Sequence, residues 1–300
     1  MIAFGCSVFD PESYRRYAEP GIRVAAEPDS EIQALAFAGG IPRTYNLMLD
    51  KLAGRDDLEA LALVHPHAEV AEPDFCRKVR HALRDPDVGV VGCVGASGVR
   101  GLAWWEGEVA SARVLHRYTE HGGGEEQAYS WTDPKPAPAE VDCVDGFLLV
   151  LSPWAVRNIR FDETLVGSHG FDVDFCFQVR EAGRKVVVAE LATVHHRSLE
   201  LVKEPELWAE AHIQLAEKWE RKMPGAESDV PEWKLRARRA EAEREAARAF
   251  AQANLLGSDA RILALQRSLK EITSTTSWRV TEPLRRLNLR RAERRERRAS

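Results

Sequence analysis

The sequence contains no apolar run near the roughly 18–20 residues that a membrane-spanning helix needs. Its first residues, MIAFGCSVFD, also lack the basic segment and long apolar segment of a secretory signal, so we expect a cytoplasmic protein. The 300 residues are 44% hydrophobic and 30% charged, which suits one core of roughly 200 residues with an appendage.

Cysteine is scarce and widely spaced, with five residues and no CxxC pair. Four of the five lie within apolar runs, where a thiol behaves as a small hydrophobic group. We therefore expect reduced thiols and no metal site built from cysteine. The HExxH motif of helix-borne metal hydrolases is absent too, which argues against a metal-dependent hydrolase.

Charge divides the chain into two parts. Residues 228–300 hold 18 Lys and Arg against 10 Asp and Glu, whereas the remaining residues hold 24 against 37. We therefore predict a domain over residues 1–227 and a basic helical extension over residues 228–300.

Short apolar runs alternate with amphipathic helical segments along the first part. The runs MIAFGCSV, LEALALV, VGVVGCVG and KVVVAE read as strands, and helices are predicted between them, including one from about Asp172 to Ala182 that Gly183 ends. This alternation predicts an α/β fold with a mostly parallel sheet that helices cover on both faces. Ligands of such sheets bind beyond the carboxyl ends of the strands.

The stretch LVHPHAEV places polar residues at such a strand end. His65, His67 and Glu69 follow the apolar residues of LALV, and Pro66 interrupts regular strand pairing. Residues two apart share a face of a strand, so the three side chains could converge on a ligand if strand geometry continued. A surface turn with two solvated histidines is the alternative.

The middle of the chain, from about Gly95 to Glu140, is rich in Gly, Pro, Trp and polar residues and reads as a loop with at most a short hairpin. Its tryptophans, with Trp105 as our candidate, could stack on a ligand ring or cover an edge of the core. Beyond Glu206, amphipathic patterns predict helices that pack on the domain or form a short coiled coil.

Several segments together resemble glycosyltransferase family 2-like proteins of bacteria, which are inverting enzymes of the GT-A fold. The similarity covers roughly residues 1–200 and is most specific from Asp162 to His196. It rests on YNLML, ALVHPHAEV, DPDVGVVGCVGASGVRGLAWW, VDCVDGFLLVLSPWAV, IRFDETLVGSHGFDVDFCFQVREAGRKV and VHHRS. The later segment STTSWRVTEPLRRL is similar to one found near bacterial glycosyltransferase modules.

The resemblance implies a GT-A-like, Rossmann-like sheet and transfer of a hexosyl or deoxyhexosyl group from a nucleotide-diphosphate sugar, with inversion. The acceptor would be a hydroxyl of a glycan, a lipid-linked or another acceptor, as in the synthesis of cell-surface polysaccharide. It also implies a divalent ion, Mn²⁺ or Mg²⁺, that neutralises the leaving diphosphate.

The implied metal position departs from the family pattern, because His67 stands where these proteins place an Asp. Either Glu69 replaces that Asp as a ligand, or a softer ion than Mg²⁺ is bound, or His67 donates a hydrogen bond to phosphate without metal. The family also implies a histidine after the last strand. His195 and His196 are the candidates, of which we favour His195.

The resemblance implies a carboxylate at the start of a helix as the general base that takes the acceptor proton. Asp172 matches the second position of the family's acidic pair, and Asp174 is the reserve candidate. Helix capping is the structural alternative for both. His169, in the preceding loop, could contact the acceptor or the diphosphate.

Other positions are expected to bind donor or acceptor. The Asp145–Gly146 pair matches a family element on the floor of the site, while Ser7 and Asp10 follow the first strand, where the nucleotide base binds. Arg43 opens a helix and could meet a phosphate there.

A second hypothesis is a catalytically inactive GT-A domain that binds a sugar nucleotide or glycan within a larger assembly. The basic extension could contact anionic lipid at the inner face of the membrane, or be a solvated tail. Nucleic acid is the less expected partner.

Overall fold

The computed structural model describes residues 1–99, 102, 104, 107–111, 114–117, 128–131, 138–165, 169–196, 205–220, 244, 262–263 and 265–281. Fourteen strands are present in these ranges: β1 (Ile2–Val8), β2 (Ile32–Ala36), β3 (Ala60–Val64), β4 (Ala68–Val70), β5 (Val88–Gly92), β6 (Val94–Ser97), β7 (Glu108–Ser111), β8 (Val114–Arg117), β9 (Ala128–Trp131), β10 (Ala139–Val141), β11 (Cys143–Val144), β12 (Leu148–Leu151), β13 (Lys185–Val188) and β14 (Thr193–His195).

The described helices are α1 (Pro11–Ser13), α2 (Glu19–Ala25), α3 (Ile41–Leu52), α4 (Phe75–Ala82), α5 (Pro153–Asn158), α6 (Phe171–Glu181), α7 (Pro205–Glu220) and α8 (Thr276–Val280). A π-helical turn, Tyr14–Ala18, joins α1 to α2. The helix predicted from Asp172 is α6, which begins one residue earlier. It ends before Gly183, whose φ of +75° suits a residue without a side chain.

Seven strands form a central sheet in the order β10-β13-β5-β12-β3-β1-β2. Strand β1 pairs parallel with β2 and β3, and β13 pairs parallel with β5. Because β12 pairs antiparallel with both β3 and β5, these two also run in the same direction. Five strands therefore share one direction, and β12 and β10 run against them. The predicted α/β class with a mostly parallel sheet is therefore confirmed.

Helices cover both faces of this sheet, as β1 illustrates. Phe4 points to one face, where its ring centroid lies 5.5 Å from that of Phe75 in α4. The next residue, Gly5, faces α3 so closely that an added Cβ would come 2.6 Å from Sδ of Met48. Successive strand residues alternate between faces, so one strand supports both layers.

The predicted loop of the middle region is wrong in part. Two smaller sheets form there, one in the order β11-β6-β7 and one in the order β4-β14-β8-β9. The second joins strands far apart in the chain, since β14 pairs antiparallel with β4 and parallel with β8. Strands of four residues that depend on such distant partners carry little local signal.

The helix predicted beyond Glu206 is α7, which packs its buried face, including Trp208 and Leu215, on the domain. Further along, residues 262–263 and 265–274 are helical and exposed. Within the described ranges, no helix has the length and apolar character that crossing a membrane requires.

Candidate active site

The segment after β3 forms a turn rather than a continued strand. The backbone N–H of Ala68 donates to the carbonyl of His65 at 2.9 Å, and β4 begins only at Ala68. The interruption that Pro66 predicts is therefore present, and His65, His67 and Glu69 do not share one face of a strand.

His67 is buried and reaches back to the end of β1. Its Nε2 lies 3.0 Å from Oδ2 of Asp10, which also accepts hydrogen bonds from Ser13 Oγ and, through Oδ1, from the N–H groups of Glu12 and Ser13. Partial burial alone would raise the pKa of Asp10, but the hydrogen bonds from His67 and Ser13 outweigh it and hold this pKa below its usual value. Asp10 is therefore an anion that orients His67.

His65 and His195 lie beside this pair. The His65 ring centroid is 5.0 Å from that of His67 and 5.8 Å from that of His195, and the His195 ring stacks on Phe147 at 4.7 Å. Nδ1 of His65 accepts from the backbone N–H of His67 at 3.3 Å, which leaves the proton of a neutral His65 ring on Nε2. Three histidines thus lie at the carboxyl end of β3.

His196 belongs to a separate pair. Its Nε2 lies 2.8 Å from Oε2 of Glu69, and its ring stacks on Tyr17 at 3.7 Å. The adjacent His195 points instead toward His65. Of the two histidines, His195 is therefore the one that the structure brings to the His67 side.

The five predicted metal ligands do not form one centre. Glu69 is bonded to His196 and His67 to Asp10, and the described residues contain no group of three or more His, Cys, Asp or Glu placed to hold a metal ion. Two separate imidazole–carboxylate pairs do not fit the oxygen-rich ligand set that Mg²⁺ requires. His65 and His195 belong to neither pair, and metal binding by the predicted residues stays a prediction.

Ser7 lies at the end of β1, two residues before the turn that carries Asp10. Its side chain is 1% exposed, and its Oγ has no hydrogen-bond partner among the described residues. Buried hydroxyls are rarely left without a partner, so this position is one where a bound polar group would gain a hydrogen bond.

Asp172 lies in the first turn of α6 and is held by two backbone groups. The N–H of Gly146 donates to Oδ2 at 2.7 Å, and the N–H of Val173 donates to Oδ1 at 2.9 Å. Burial raises the pKa of Asp172, an effect that these two hydrogen bonds only partly offset. The result is an oriented carboxylate with raised basicity, which is what a general base needs.

Gly146, in the turn between β11 and β12, packs closely against the start of α6. An added Cβ would come 2.7 Å from Cζ of Phe171 and 3.0 Å from Cβ and Oδ2 of Asp172. We expect Gly146→Ala to displace the start of α6, to cost about 1–3 kcal/mol of stability by overpacking, and to lower activity further by moving Asp172. Urea denaturation and a rate assay on the variant measure both effects.

Gly54→Ala is the matched control for Gly146→Ala, because nothing lies within 4 Å of a Cβ added at Gly54. This control should differ from the wild type by less than about 1 kcal/mol. Equal effects of the two substitutions would contradict the close packing at Gly146.

Asp174, the reserve candidate for the base, has a different environment. Its side chain is fully buried, and its oxygens are bonded to Trp219, Lys218 and Gln178 at distances of 2.7–2.9 Å. These partners leave no open face for an acceptor hydroxyl. Between the two aspartates, the geometry favours Asp172.

A cavity of about 300 Å³ opens between the start of α3 and the segment that precedes α6. Arg43, Phe37 and Gly39 line one side of it, and Glu163 and Leu165 line the other. Asn46 of α3 fixes the second side, because its Nδ2 donates to the carbonyl of Phe161 and to Oε1 of Glu163, both at 2.9 Å. Arg43, which is predicted to contact a phosphate, thus lines this cavity.

The remaining predicted positions differ in how far the structure describes them. Oδ1 of Asp145 accepts from the N–H of Phe147 at 3.2 Å and so shapes the turn before β12. His169 is half-buried, one residue before the Gly170 that precedes α6. Trp105 lies outside the described residues.

Sequence reasoning missed four residues that build this region: Asn46, Glu163, Lys218 and Trp219. Asn46 had one available signal, since it is a polar residue within the apolar run YNLML of a helix. Lys218 had none, because a lysine on an amphipathic helix is ordinarily solvated.

A model of the "glycosyltransferase like family" matches residues 13–219. The chain belongs to this family. This glycosyltransferase-like protein is also 30% identical over 200 residues to the streptomycin biosynthesis protein StrF of Streptomyces griseus, a match that spans 66% of the chain and 67% of StrF. Family membership supports glycosyl transfer and a nucleotide-sugar donor.

Among solved structures, the glycosyltransferase-like chain is similar to A197 from STIV, with a TM-score of 0.41 and 16% identity over 66% of this chain and 85% of A197. It is similar to the mannosyltransferase PcManGT from Pyrobaculum calidifontis, solved with GDP-Man and Mn²⁺, with a TM-score of 0.47 and 15% identity over 93% and 81% of the two chains. It is also similar to GalNAc-T7, solved with UDP, GalNAc and Mn²⁺, with a TM-score of 0.42 and 10% identity over 81% of this chain and 54% of GalNAc-T7.

Proposed function

We propose that this protein is an inverting glycosyltransferase that moves a hexosyl or deoxyhexosyl group from a nucleoside-diphosphate sugar to an acceptor hydroxyl, with Asp172 as the general base. The observation that carries this proposal is the Asp172 carboxylate, half-buried and oriented by Gly146 and Val173 at the start of α6. Family membership supplies the reaction class.

In the proposed step, Asp172 accepts the proton of the acceptor hydroxyl as its oxygen bonds to the anomeric carbon of the sugar. The bond from that carbon to the diphosphate oxygen breaks at the same time, and its electron pair leaves with the diphosphate. Attack from the face opposite the leaving group inverts the anomeric configuration. The raised pKa of Asp172 makes it a stronger proton acceptor than an exposed carboxylate.

The donor would bind at the carboxyl ends of β1 and β3. Ser7 offers a buried hydroxyl, and Asp10 orients His67 by its contact with Nε2. In its doubly protonated form, His67 would donate through Nδ1 to a phosphate oxygen. Arg43 adds a guanidinium beside the cavity. The general rule that ligands bind beyond strand ends in such sheets supports this placement.

Calorimetric titration with UDP-, GDP- and dTDP-sugars tests donor binding, and release of nucleoside diphosphate with water as acceptor tests catalysis. Binding with release supports the transferase, and binding without release supports the catalytically inactive alternative. Binding of none of these donors would overturn the transferase and leave the inactive, glycan-binding alternative to be tested. A requirement for Mn²⁺ or Mg²⁺ stays a prediction, which the same titration tests with each ion and with EDTA.

We also propose that the acceptor is a glycan or lipid-linked molecule and that the protein is cytoplasmic, with its basic extension in contact with anionic lipid. Residues 261–300 carry 12 basic and four acidic side chains. Their helical part exposes an apolar stripe, with Leu265, Leu269 and Ile272 each more than half exposed. Apolar side chains on a basic segment match the chemistry of an anionic membrane surface.

The full chain should therefore sediment with vesicles of phosphatidylcholine and phosphatidylglycerol, and less so at 0.5 M salt, because salt screens the charges. The double substitution Leu265→Asp and Leu269→Asp should lower the bound fraction about tenfold. Ser274→Asp with Ser277→Asp adds the same charge at two exposed positions outside the stripe and should have a smaller effect. Equal binding to neutral vesicles would overturn this contact.

A further inference from the structure

One ammonium group joins both ends of the segment that carries Asp172. Nζ of Lys218 in α7 lies 2.6 Å from Oδ2 of Asp162 and 2.7 Å from Oδ1 of Asp174. Asp162 precedes residues 163–173, and Asp174 follows them, so the Lys218 bridge, formed by Asp162, Asp174 and Lys218, closes this segment into a loop. The loop contains both His169 and Asp172.

The far end of the loop is fixed to α7 by more than this ion pair. Nε1 of Trp219 donates to the same Oδ1 of Asp174 at 2.9 Å, and the Trp219 ring packs edge-on against Phe177 with centroids 5.3 Å apart. Nε2 of Gln178 donates to Oδ2 of Asp174 at 2.8 Å. Because Asp174 is fully buried, its position follows that of α7.

The near end of the loop is held in a comparable way. Burial alone would raise the pKa of Asp162, but the hydrogen bonds from Lys218 and Thr164 outweigh it and lower this pKa to about 2. Burial alone would lower the pKa of Lys218, but the two carboxylates raise it. Asp162 and Lys218 are therefore charged at neutral pH, and charge-assisted hydrogen bonds of this kind are the stronger ones.

We propose that Lys218 is a positioning residue for glycosyl transfer, because its ammonium fixes both ends of residues 163–173 and thereby the place of Asp172. The inference rests on the proposed function, in which Asp172 is the general base. Lys218 itself touches Asp162 and Asp174 rather than Asp172, so it acts through the backbone of α6. Misplacing a catalytic group by about 1 Å costs roughly 100-fold in rate.

The test compares Lys218→Met with Lys218→Arg in the full chain. Lys218→Met keeps much of the side-chain length but loses both ion pairs, so kcat for nucleoside diphosphate release should fall about 10- to 100-fold. The Kd for the donor should stay within about twofold, because Ser7, Asp10 and His67 belong to other elements. Lys218→Arg keeps both pairs and should recover most of kcat.

Lys185→Met is the matched control, because Lys185 forms an exposed ion pair with Asp85 at 2.7 Å on another part of the domain. It should leave kcat unchanged. Trp219→Phe keeps an aromatic ring but removes the indole N–H, and it should give a smaller loss of kcat than Lys218→Met. Thermal unfolding of each variant shows that the rates are measured on folded protein.

Hydrogen exchange separates failure of this inference from failure of the proposed function. In Lys218→Met, the amides of residues 163–173 should exchange faster, while those of the central sheet stay protected. Unchanged exchange, or a folded Lys218→Met with kcat within twofold of the wild type, would overturn the positioning role. A wild-type protein that releases no nucleoside diphosphate would overturn the transferase, and the exchange result would still decide whether Lys218 holds the loop.

Discussion

Replacing Asp172 by Asn should lower kcat for nucleoside diphosphate release about 10²- to 10⁴-fold, the usual contribution of general base catalysis. The amide oxygen can still accept the N–H of Gly146 or Val173, so the start of α6 should keep its place. Donor affinity, measured by calorimetry, should stay near the wild-type value. A large loss of donor binding would show instead that Asp172 shapes the donor site.

The pH profile gives an independent check on Asp172. A base must be ionised, so kcat should fall as pH drops through the pKa of Asp172, and this limb should lie above the range of an exposed Asp because burial raises that pKa. Tyr45 of α3, Cys143 of β11 and Cys176 of α6 also interact electrostatically with Asp172. The acidic limb should disappear in Asp172→Asn.

Replacing Asp174 by Ala should destabilise the protein by about 3–5 kcal/mol, the usual cost of removing one partner from a buried ion pair. The substitution leaves the Lys218 ammonium with Asp162 alone and deprives Trp219 and Gln178 of their acceptor. Equilibrium denaturation in urea measures this loss. Residues of α7 should also exchange their amides faster, because α7 loses its attachment to α6.

Asp85→Ala is the control for this loss, since Asp85 pairs with Lys185 on the surface and should contribute under about 1 kcal/mol. A loss below about 1 kcal/mol in Asp174→Ala would contradict a structural role for Asp174. In that case Asp174 would return as a candidate for the base.

Local patterns were sufficient to predict the main elements of the fold. Buried apolar runs predicted β1, β3, β5 and β13, and the segment from Asp172 that Gly183 ends predicted α6. These elements are recognisable because the central sheet buries its strands on both faces, which requires a hydrophobic pattern along each segment. The short strands β7, β8 and β9 have no such period, since each depends on one or two distant neighbours.

The sequence allowed prediction of individual site residues at the ends of strands and helices, but not of the partners that these residues bind. The family resemblance pointed to Asp172 at the start of α6 and to His67 at the end of β3, and both stay candidates. The partners of these residues come from distant parts of the chain: Asp10 is 57 residues from His67, and Trp219 is 45 residues from Asp174. Spacing within one segment contains no information about such pairs, so it could not show that His67 pairs with Asp10 or that Glu69 pairs with His196.

Strand β12 runs against its neighbours, so the residues before and after it lie at opposite ends of the sheet from those of a parallel strand. Asp145 and Gly146 precede β12, so they lie at the end of the sheet where β3 ends. Ser152, which follows it, lies at the opposite end, where its N–H donates to the carbonyl of Gly89. The two ends are about one strand length apart, roughly 15 Å for five residues. Substitutions near the proposed substrate site at one end of the strand can therefore leave the contacts at its other end undisturbed.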